Sequence, residues 1–509
     1  RTGQTQPCAA AEKFQSSTRY SAIFVILLSQ IIAKAMDFGF LRIAAAIPSV
    51  QVAGCRHNVS RIEKLIRQAA GRQAALVAFP ELAVTGYTCG DLFTQRALLD
   101  GAESALADLL KSTSDCPTVC IAGMPVAAGN RLYNTAVVFC RGRVLGIVPK
   151  TYLPNYGEFY EQRWFAPGLA KDFGIDLCGQ NVSLCSNGLF VCEAMPNLVL
   201  GVEVCEDLWA PEPPSAALAR SGATLILNLS ASDETVGKAD YRRQLVTGQS
   251  ARQLCGYVYA DAGEGESTTD LVFAGHNLIA ENGALLAQRQ FACGLTVSEL
   301  DVDKLVFERR RNTTFTPPQE EIWRSFFSLE LTDTELTRPV GKNPFVPEDH
   351  GDRAARCQEI LNIAALGLKK RLAHTRARTA VVGLSGGLDS TLALLITALA
   401  MGMLNRPASD IVAVTMPCFG TTDRTKSNAV LLAERLGCTL KTIDIGRAVK
   451  VHFEDIGQSM SDHDVTFENG QARERTQVLM DIANQTVGLV IGTGDLSELA
   501  LGWCTYNGD

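Results

Sequence analysis

The sequence predicts an α/β protein made of two successive layered units. Three observations carry this. From Phe40 to about Leu305, short apolar β-type runs alternate with helix-like runs. A stretch broken by arginines and prolines follows at 306–345, and then the alternation resumes. Within the second unit the apolar run Thr379–Leu384 enters Ser385-Gly386-Gly387-Leu388-Asp389-Ser390 and then helix-like Thr391–Met403. A glycine pair between strand and helix suits a doubly wound parallel sheet with backbone N–H groups closing around a phosphate.

In the first unit the expected strands are Leu41–Ile47, Ala75–Phe79, Val119–Gly123, Thr135–Phe139, Val144–Val148, Leu198–Val204, Ala223–Leu229 and Tyr257–Ala260. The expected helices are Val59–Ala70, Asp91–Leu110 and Lys238–Leu254, with Asn58 and Ser60 offered as N-caps to the first. Strands this apolar are covered on at least one face. The domains expected are 36–305, a linker at 306–345 marked by Arg309-Arg310-Arg311 and Pro317-Pro318, and 346–509. In the last, Cys357, Ile360, Leu361, Ala364 and Leu368 fall at helical spacing. After Met403 come strand Ile411–Met416, helix Ser427–Leu436, strand Leu440–Ile445, helix Ala472–Asn484 and strand Leu489–Thr493.

Composition narrows the function classes. Hydrophobic residues make up 47% of the 509 residues and charged ones 20%, with a net charge of −7. With no long basic run, neither a nucleic acid nor an anionic membrane is an expected partner. The 16 cysteines are scattered without a C-x-x-C pair, and Cys120, Cys140 and Cys255 sit in apolar runs. This fits a reducing cytoplasm rather than a disulfide scaffold. Residues 1–35 are rich in Ser, Thr, Gln and Ala and are expected to be disordered; their one apolar run, Ala22–Ile32, is too short to span a bilayer. Met36 reads as the natural start, and the far end, Tyr506–Asp509, reads as the interior of a continuing domain.

Three reactive residues each end an apolar strand in the first unit: Glu81 after ALVAFP, Lys150 after VLGIVP and Cys205 after LVLGVEV. A carboxylate can deprotonate a thiol and return the proton to a leaving amine, and a lysine can hold the oxyanion between. Together they can hydrolyse an amide. Singly, each has an ordinary reading: a solvated loop carboxylate, a surface lysine, a core cysteine. The flanks Phe-Pro-Glu-Leu with Gly86-Tyr87, Lys150-Thr-Tyr-Leu-Pro and Cys205-Glu206-Asp207-Leu208-Trp209 resemble the glutamine-hydrolysing branch of the nitrilase superfamily.

That resemblance implies an α-β-β-α layered domain. It implies that Glu81 is the general base, Lys150 the oxyanion stabiliser and Cys205 the nucleophile. It places Tyr156, Ser232 and Lys238 on the glutamine. It also implies a further glutamate, for which Glu158 and Glu161 both qualify. Trp164 and Trp209 read as packing residues.

SGGLDS resembles the PP-loop of ATP pyrophosphatases; no Gly-Lys-Ser/Thr follows, so it is not a Walker A loop. Glu468–Arg475 and Gly492–Trp503 are similar to NAD synthetases of the glutamine-dependent kind. This implies ATP contacts at Leu384, Ser385, Gly386, Gly387, Leu388, Asp389, Ser390, Thr391 and Thr493, and deamido-NAD contacts at Asn469, Glu498 and Trp503. Mg²⁺ arriving with ATP would meet Asp389 and Glu498, and no tightly bound cofactor is expected. The ordinary reading of these two is a helix N-cap aspartate and a first-turn glutamate. Arg473 and Arg475 suit phosphate, or a solvated helix face. The family implies homo-oligomers, and sequence beyond Asp509 that supplies more substrate contacts, so the NAD-forming half is expected to be incomplete here.

Two other readings remain. Synthetases that make GMP or asparagine also adenylate an oxygen and add ammonia, but without a Glu-Lys-Cys nitrilase. Alternatively, the chain is an amide hydrolase whose second unit only binds nucleotide.

Overall fold

The structure is a computed structural model that describes residues 39–168, 172–316, 322–331, 333–347, 349–419 and 423–502. The chain forms two compact units, Arg1–Val340 and Gly341–Asp509. The 1–35 segment and the Pro317-Pro318 pair lie outside the described residues.

The first unit opens with β1 (Phe40–Ile47), α1 (Cys55–Gly71), β2 (Leu76–Ala78), α2 (Arg96–Ser112), β3 (Val119–Ala128), β4 (Arg131–Cys140) and β5 (Arg143–Pro149). Then come β6 (Phe173–Leu177), β7 (Gln180–Leu184), β8 (Gly188–Cys192), β9 (Val199–Val204), α3 (Glu206–Trp209), α4 (Pro214–Arg220), β10 (Leu225–Ser230) and α5 (Lys238–Gln253). It ends with β11 (Gly256–Asp261), β12 (Asn277–Glu281), β13 (Ala284–Arg289), β14 (Gly294–Asp301), α6 (Val302–Arg311) and β15 (Trp323–Phe327).

These strands make two sheets, ordered β14-β1-β2-β3-β4-β5-β7-β6 and β13-β12-β11-β10-β9-β8-β15. Side chains alternate across each strand, so each sheet has two faces to bury. Ile43 and Ala45 of β1 share one core with Leu225, Leu227 and Leu229 of β10, between the sheets. Ala44 and Ala46 face the other way, onto α1 and α2. Ile226, Tyr257 and Tyr259 face outward onto α4 and α5. The result is the α-β-β-α sandwich expected. Burial on both faces is why these strands read as continuous apolar runs.

Two expectations about the first unit need correction. The described residues of 306–340 belong to the first unit rather than to a linker. Asp301 caps α6 by accepting from the Lys304 N–H, β15 pairs in parallel with β8, and Arg338 binds Glu281 at 2.8 Å. The segment covers a sheet edge and neutralises a buried carboxylate, neither of which its broken periodicity reveals. Nor does Asn58 cap α1. It is buried inside the helix, where it bonds the Gln51 backbone and donates to the Val84 carbonyl at 3.1 Å. It thereby ties α1 to the loop after Glu81.

The second unit runs α7 (His350–Thr375), β16 (Thr379–Gly383), α8 (Leu388–Met403), β17 (Ile411–Thr415), α9 (Asp423–Leu436), β18 (Thr439–Thr442), α10 (Gly446–Ile456), α11 (Val465–Thr486), β19 (Gly488–Ile491) and α12 (Leu496–Leu501). Its sheet, ordered β18-β17-β16-β19, is parallel throughout. The order steps outward from β16 through β17 to β18, then returns to put β19 on the far side of β16. The loops after β16 and β19 therefore flank the point where the winding reverses, which is where open α/β sheets bind ligands.

Among the described residues no helix is long and apolar enough to cross a membrane. No disulfide joins the described cysteines, and Cys120, Cys140 and Cys255 are buried as expected.

Candidate active site

Glu81 follows β2 through Phe79-Pro80, and the chain turns at once, with Leu82 at φ 51°. The turn presses against β3 at Gly123, where a Cβ would stand 2.2 Å from the Leu82 nitrogen and 2.6 Å from the Pro80 oxygen. Only glycine leaves room for that approach. The Glu81 carboxylate is buried. Its Oε1 accepts from Lys150 Nζ at 2.6 Å and from Asn134 Nδ2 at 2.6 Å, and its Oε2 accepts from the Ala231 N–H at 3.0 Å.

Lys150 ends β5 and is fully buried. Besides Glu81, its ammonium donates to Glu161 Oε1 at 2.7 Å. Burial opposes the charge on Lys150, but the carboxylates of Glu161 and Glu81 outweigh it and hold the ammonium well above the usual lysine range. Of the two glutamates left open by the sequence, Glu161 occupies this place. Glu158 is exposed. Burial pushes Glu161 up to about 7, with Lys150 pulling the other way.

Cys205 ends β9 in an unusual backbone conformation, φ 48° and ψ −99°, and leads directly into α3. A non-glycine residue held there is strained, a recurrent feature of functional turns. Burial pushes its thiol well up, the Glu81 charge adds to this, and Lys150 opposes it. The resting group is therefore a thiol, which needs a base to attack. Asp207, two residues on, accepts from the Thr151 and Tyr152 N–H groups with Oδ1 at 3.1 and 2.8 Å, and from the Val204 N–H with Oδ2 at 2.9 Å.

The three residues anticipated on the glutamine have these neighbours. Tyr156 donates to Glu206 Oε1 at 2.7 Å, beside Cys205. The Lys238 ammonium pairs with Asp233 and lies 5.5 Å from the Trp209 ring centre. Ser232 is buried next to Ala231, its N–H bonded to Asp261 and its hydroxyl accepting from Arg242 at 3.1 Å. Trp209 therefore carries a cation as well as packing; Trp164 donates to Asp91 at 2.9 Å and packs on Phe93, as a packing residue would.

In the second unit, the N–H of Gly387 donates to Ser385 Oγ, Thr391 Oγ1 donates to the Gly387 carbonyl at 2.7 Å, and Gly386 has φ 83°. The side chains of Leu388 and Asp389 are exposed, while Leu384 and Ser390 are buried. Across the switch point, Thr493 and Gly494 lead to Asp495, which caps α12. Glu498 Oε2 accepts from the Asp495 N–H at 2.9 Å, completing a capping box. Asn469 lies on α11, and the Arg475 charge reaches Cys418 just beyond β17. Trp503 lies outside the described residues. No group of three or more His, Cys, Asp or Glu among the described residues could hold a metal ion by itself.

Carbon-nitrogen hydrolases as a family match residues 44–306, and NAD synthases match residues 360–509. The chain is 44% identical over 488 residues to the glutamine-dependent NAD(+) synthetase of Mycobacterium tuberculosis (strain CDC 1551 / Oshkosh), covering 93% of this chain and 72% of that one. It is 29% identical to the one from Aquifex aeolicus, covering 89% of this chain and 74% of that one. The chain belongs to the glutamine-dependent NAD(+) synthetases. Among solved structures, that of the Acinetobacter baumannii glutamine-dependent NAD+ synthetase with ADP is 25% identical, with a TM-score of 0.44, covering 92% of this chain and 77% of that one.

For a member of this family, the sequence reading passed over three residues that the site uses. Asn134 joins Glu81 to Glu161. Tyr87 was read only as a flank, yet it donates to Glu161 Oε1 at 2.8 Å. Glu266 accepts from the Tyr87 and Thr88 N–H groups at 2.7 and 3.0 Å and so fixes the Tyr87 loop. A polar residue set within an apolar strand, as Asn134 is in Arg131-Leu-Tyr-Asn-Thr-Ala-Val-Val, is the one local signal for any of them.

Proposed function

We propose that this chain makes NAD from deamido-NAD, ATP and glutamine, with Glu81, Lys150 and Cys205 releasing the ammonia. The observation that carries the reading is the buried Lys150 ammonium between two carboxylates, 2.6 Å from Glu81 and 2.7 Å from Glu161, beside a strained Cys205.

The chemistry follows from the groups. Glu81 takes the Cys205 proton as sulfur attacks the glutamine carboxamide. The tetrahedral oxyanion forms beside Lys150, whose charge is already desolvated and fixed, so little reorganisation is needed. Glu81 returns the proton to the nitrogen, C–N cleavage frees ammonia, and a glutamyl thioester remains. Water, deprotonated by Glu81, then releases glutamate and restores the thiol. Tyr156, Ser232 and Lys238 hold the substrate in this reading, and Lys238 suits its α-carboxylate.

In the second unit the Ser385–Ser390 loop receives the ATP phosphates. The nicotinate carboxylate attacks the α-phosphorus, pyrophosphate leaves, and ammonia displaces AMP from the adenylate to give NAD. Asp389 and Glu498 would hold the Mg²⁺ that comes with ATP, which would supply positive charge to the phosphates. Glu498 must give up its cap to do so. Asn469 and Thr493 border the same edge. Ammonia is mostly ammonium in neutral water and an acyl adenylate hydrolyses there, so both favour a sheltered transfer.

We place the chain in a reducing cytoplasm, in keeping with Cys120, Cys140 and Cys255 packed as small apolar side chains. A homo-oligomer is supported by Ile360, Ile363 and Leu366, left exposed on α7.

The test is NAD formation from deamido-NAD and Mg-ATP with glutamine or ammonium, in wild type and Cys205→Ala. Loss of only the glutamine route in Cys205→Ala is expected. Glutamate release without NAD or pyrophosphate would instead support an amide hydrolase with a nucleotide-binding second unit.

A further inference from the structure

Asn134 opens the inner half of β4 and is fully buried between two carboxylates. Its Nδ2 lies 2.6 Å from Glu81 Oε1 and 3.5 Å from Glu161 Oε2. Carboxylates only accept, so the amide must turn its donor end toward them. The two oxygens of Glu81 are then unequal. Oε1 carries two donors, the Asn134 amide and the Lys150 ammonium, each at 2.6 Å. Oε2 carries only the Ala231 N–H, at 3.0 Å. That same Ala231 N–H also faces the Cys205 thiol. The oxygen with fewer donors is the better proton acceptor, and its one donor, the Ala231 N–H, is also the backbone group that acts on Cys205.

The other end of the amide points to the same purpose. Among the described residues Asn134 Oδ1 is buried without a hydrogen-bond partner. An orphaned buried acceptor costs stability that an apolar residue of similar volume would avoid. The amide is kept here for its donor end.

We propose that Asn134 is a positioning residue of the amide-hydrolysing site, fixing Glu81 Oε2 as the oxygen that takes the Cys205 proton. The inference rests on the assignment of Glu81 as the base. In its absence Glu81 can rotate, share Lys150 with either oxygen, and present the wrong one to the thiol.

The experiment compares wild type, Asn134→Asp, Asn134→Ala and Glu81→Gln. Two readouts are taken: the pH dependence of Cys205 alkylation by iodoacetamide, and kcat and KM for glutamine hydrolysis. Asn134→Asp is nearly isosteric, but it replaces both donor hydrogens with a third carboxyl. It should cut kcat by about 100-fold with KM changed by less than about threefold, a typical scale for losing one preorganised hydrogen bond. Its added negative charge makes the site take up a proton at higher pH, so the acid limb of alkylation should move up by about one pH unit. Asn134→Ala should show the kcat loss at constant KM without the upward move, and thermal unfolding identifies any variant that fails to fold. If Asn134→Asp and Asn134→Ala alkylate and turn over like wild type, or lose only KM, the proposal is overturned while the Glu81 assignment stands. If Glu81→Gln itself leaves alkylation and turnover unchanged, the base assignment fails and takes this proposal with it.

Discussion

Asp207 accepts the Tyr152 N–H at 2.8 Å with one carboxylate oxygen while its other oxygen accepts the Val204 N–H at 2.9 Å. Tyr152 follows Lys150 and Val204 precedes Cys205. One buried carboxylate thus sutures the strand end that leads to Lys150 to the strand end that leads to Cys205. An asparagine cannot accept on both sides, because its NH₂ would face a backbone N–H. Asp207→Asn should lower glutaminase kcat by about tenfold or more and stability by roughly 1–3 kcal/mol, the scale of one buried unsatisfied group. Steady-state kinetics and urea unfolding measure the two effects separately.

Glu161 gives a pH prediction. Burial pushes its carboxyl up to about 7. Below that pH it is neutral, and the Lys150 ammonium keeps one anionic partner instead of two; above it, both are charged. Wild-type glutaminase should therefore lose activity as pH falls through 7. Glu161→Gln should lower kcat by about 10- to 1000-fold and remove that limb, since glutamine cannot titrate there. Glu158→Gln, at an exposed position, should change neither; a pH profile of kcat decides.

Gly123 tests whether the Glu81 turn is held by close packing. A Cβ there meets backbone atoms at 2.2 and 2.6 Å, so the turn must move. Gly123→Ala should cost roughly 1–3 kcal/mol, as overpacking a tight core does. It should also reduce Cys205 alkylation more steeply than stability, because Glu81 is displaced. Denaturant melts and alkylation rates on the same preparation check this.

Gly386 tests the phosphate loop. At φ 83° it occupies a conformation that L side chains rarely adopt. Gly386→Ala should weaken ATP binding by about tenfold, from a strain of roughly 1–2 kcal/mol. Gly387, whose nearest neighbour to an added Cβ is the Ser385 hydroxyl at 3.4 Å, should tolerate alanine better. Nucleotide titration of both variants gives the comparison.

The sequence by itself made eight of the first unit's strands legible and singled out Glu81, Lys150 and Cys205 as candidate reactive groups. Each of Glu81, Lys150 and Cys205 closes an apolar strand, and apolar runs, proline and glycine are local signals that act within a few residues. The Ser385–Ser390 loop between a strand and a helix was legible for the same reason, as was the layered α/β class. Tertiary structure alone decided which groups meet. Glu81 and Ala231 are 150 residues apart yet bonded at 3.0 Å, and no local pattern encodes that pairing. The choice of Glu161 over Glu158 turned on one short turn that buries the first and leaves the second in water. Asn134, Tyr87 and Glu266 gained their places only when β4, the Tyr87 loop and the segment after β11 converged. The strand Trp323–Phe327 joined its sheet because an open edge needed hydrogen-bond partners, a demand set by the fold and not by its own residues.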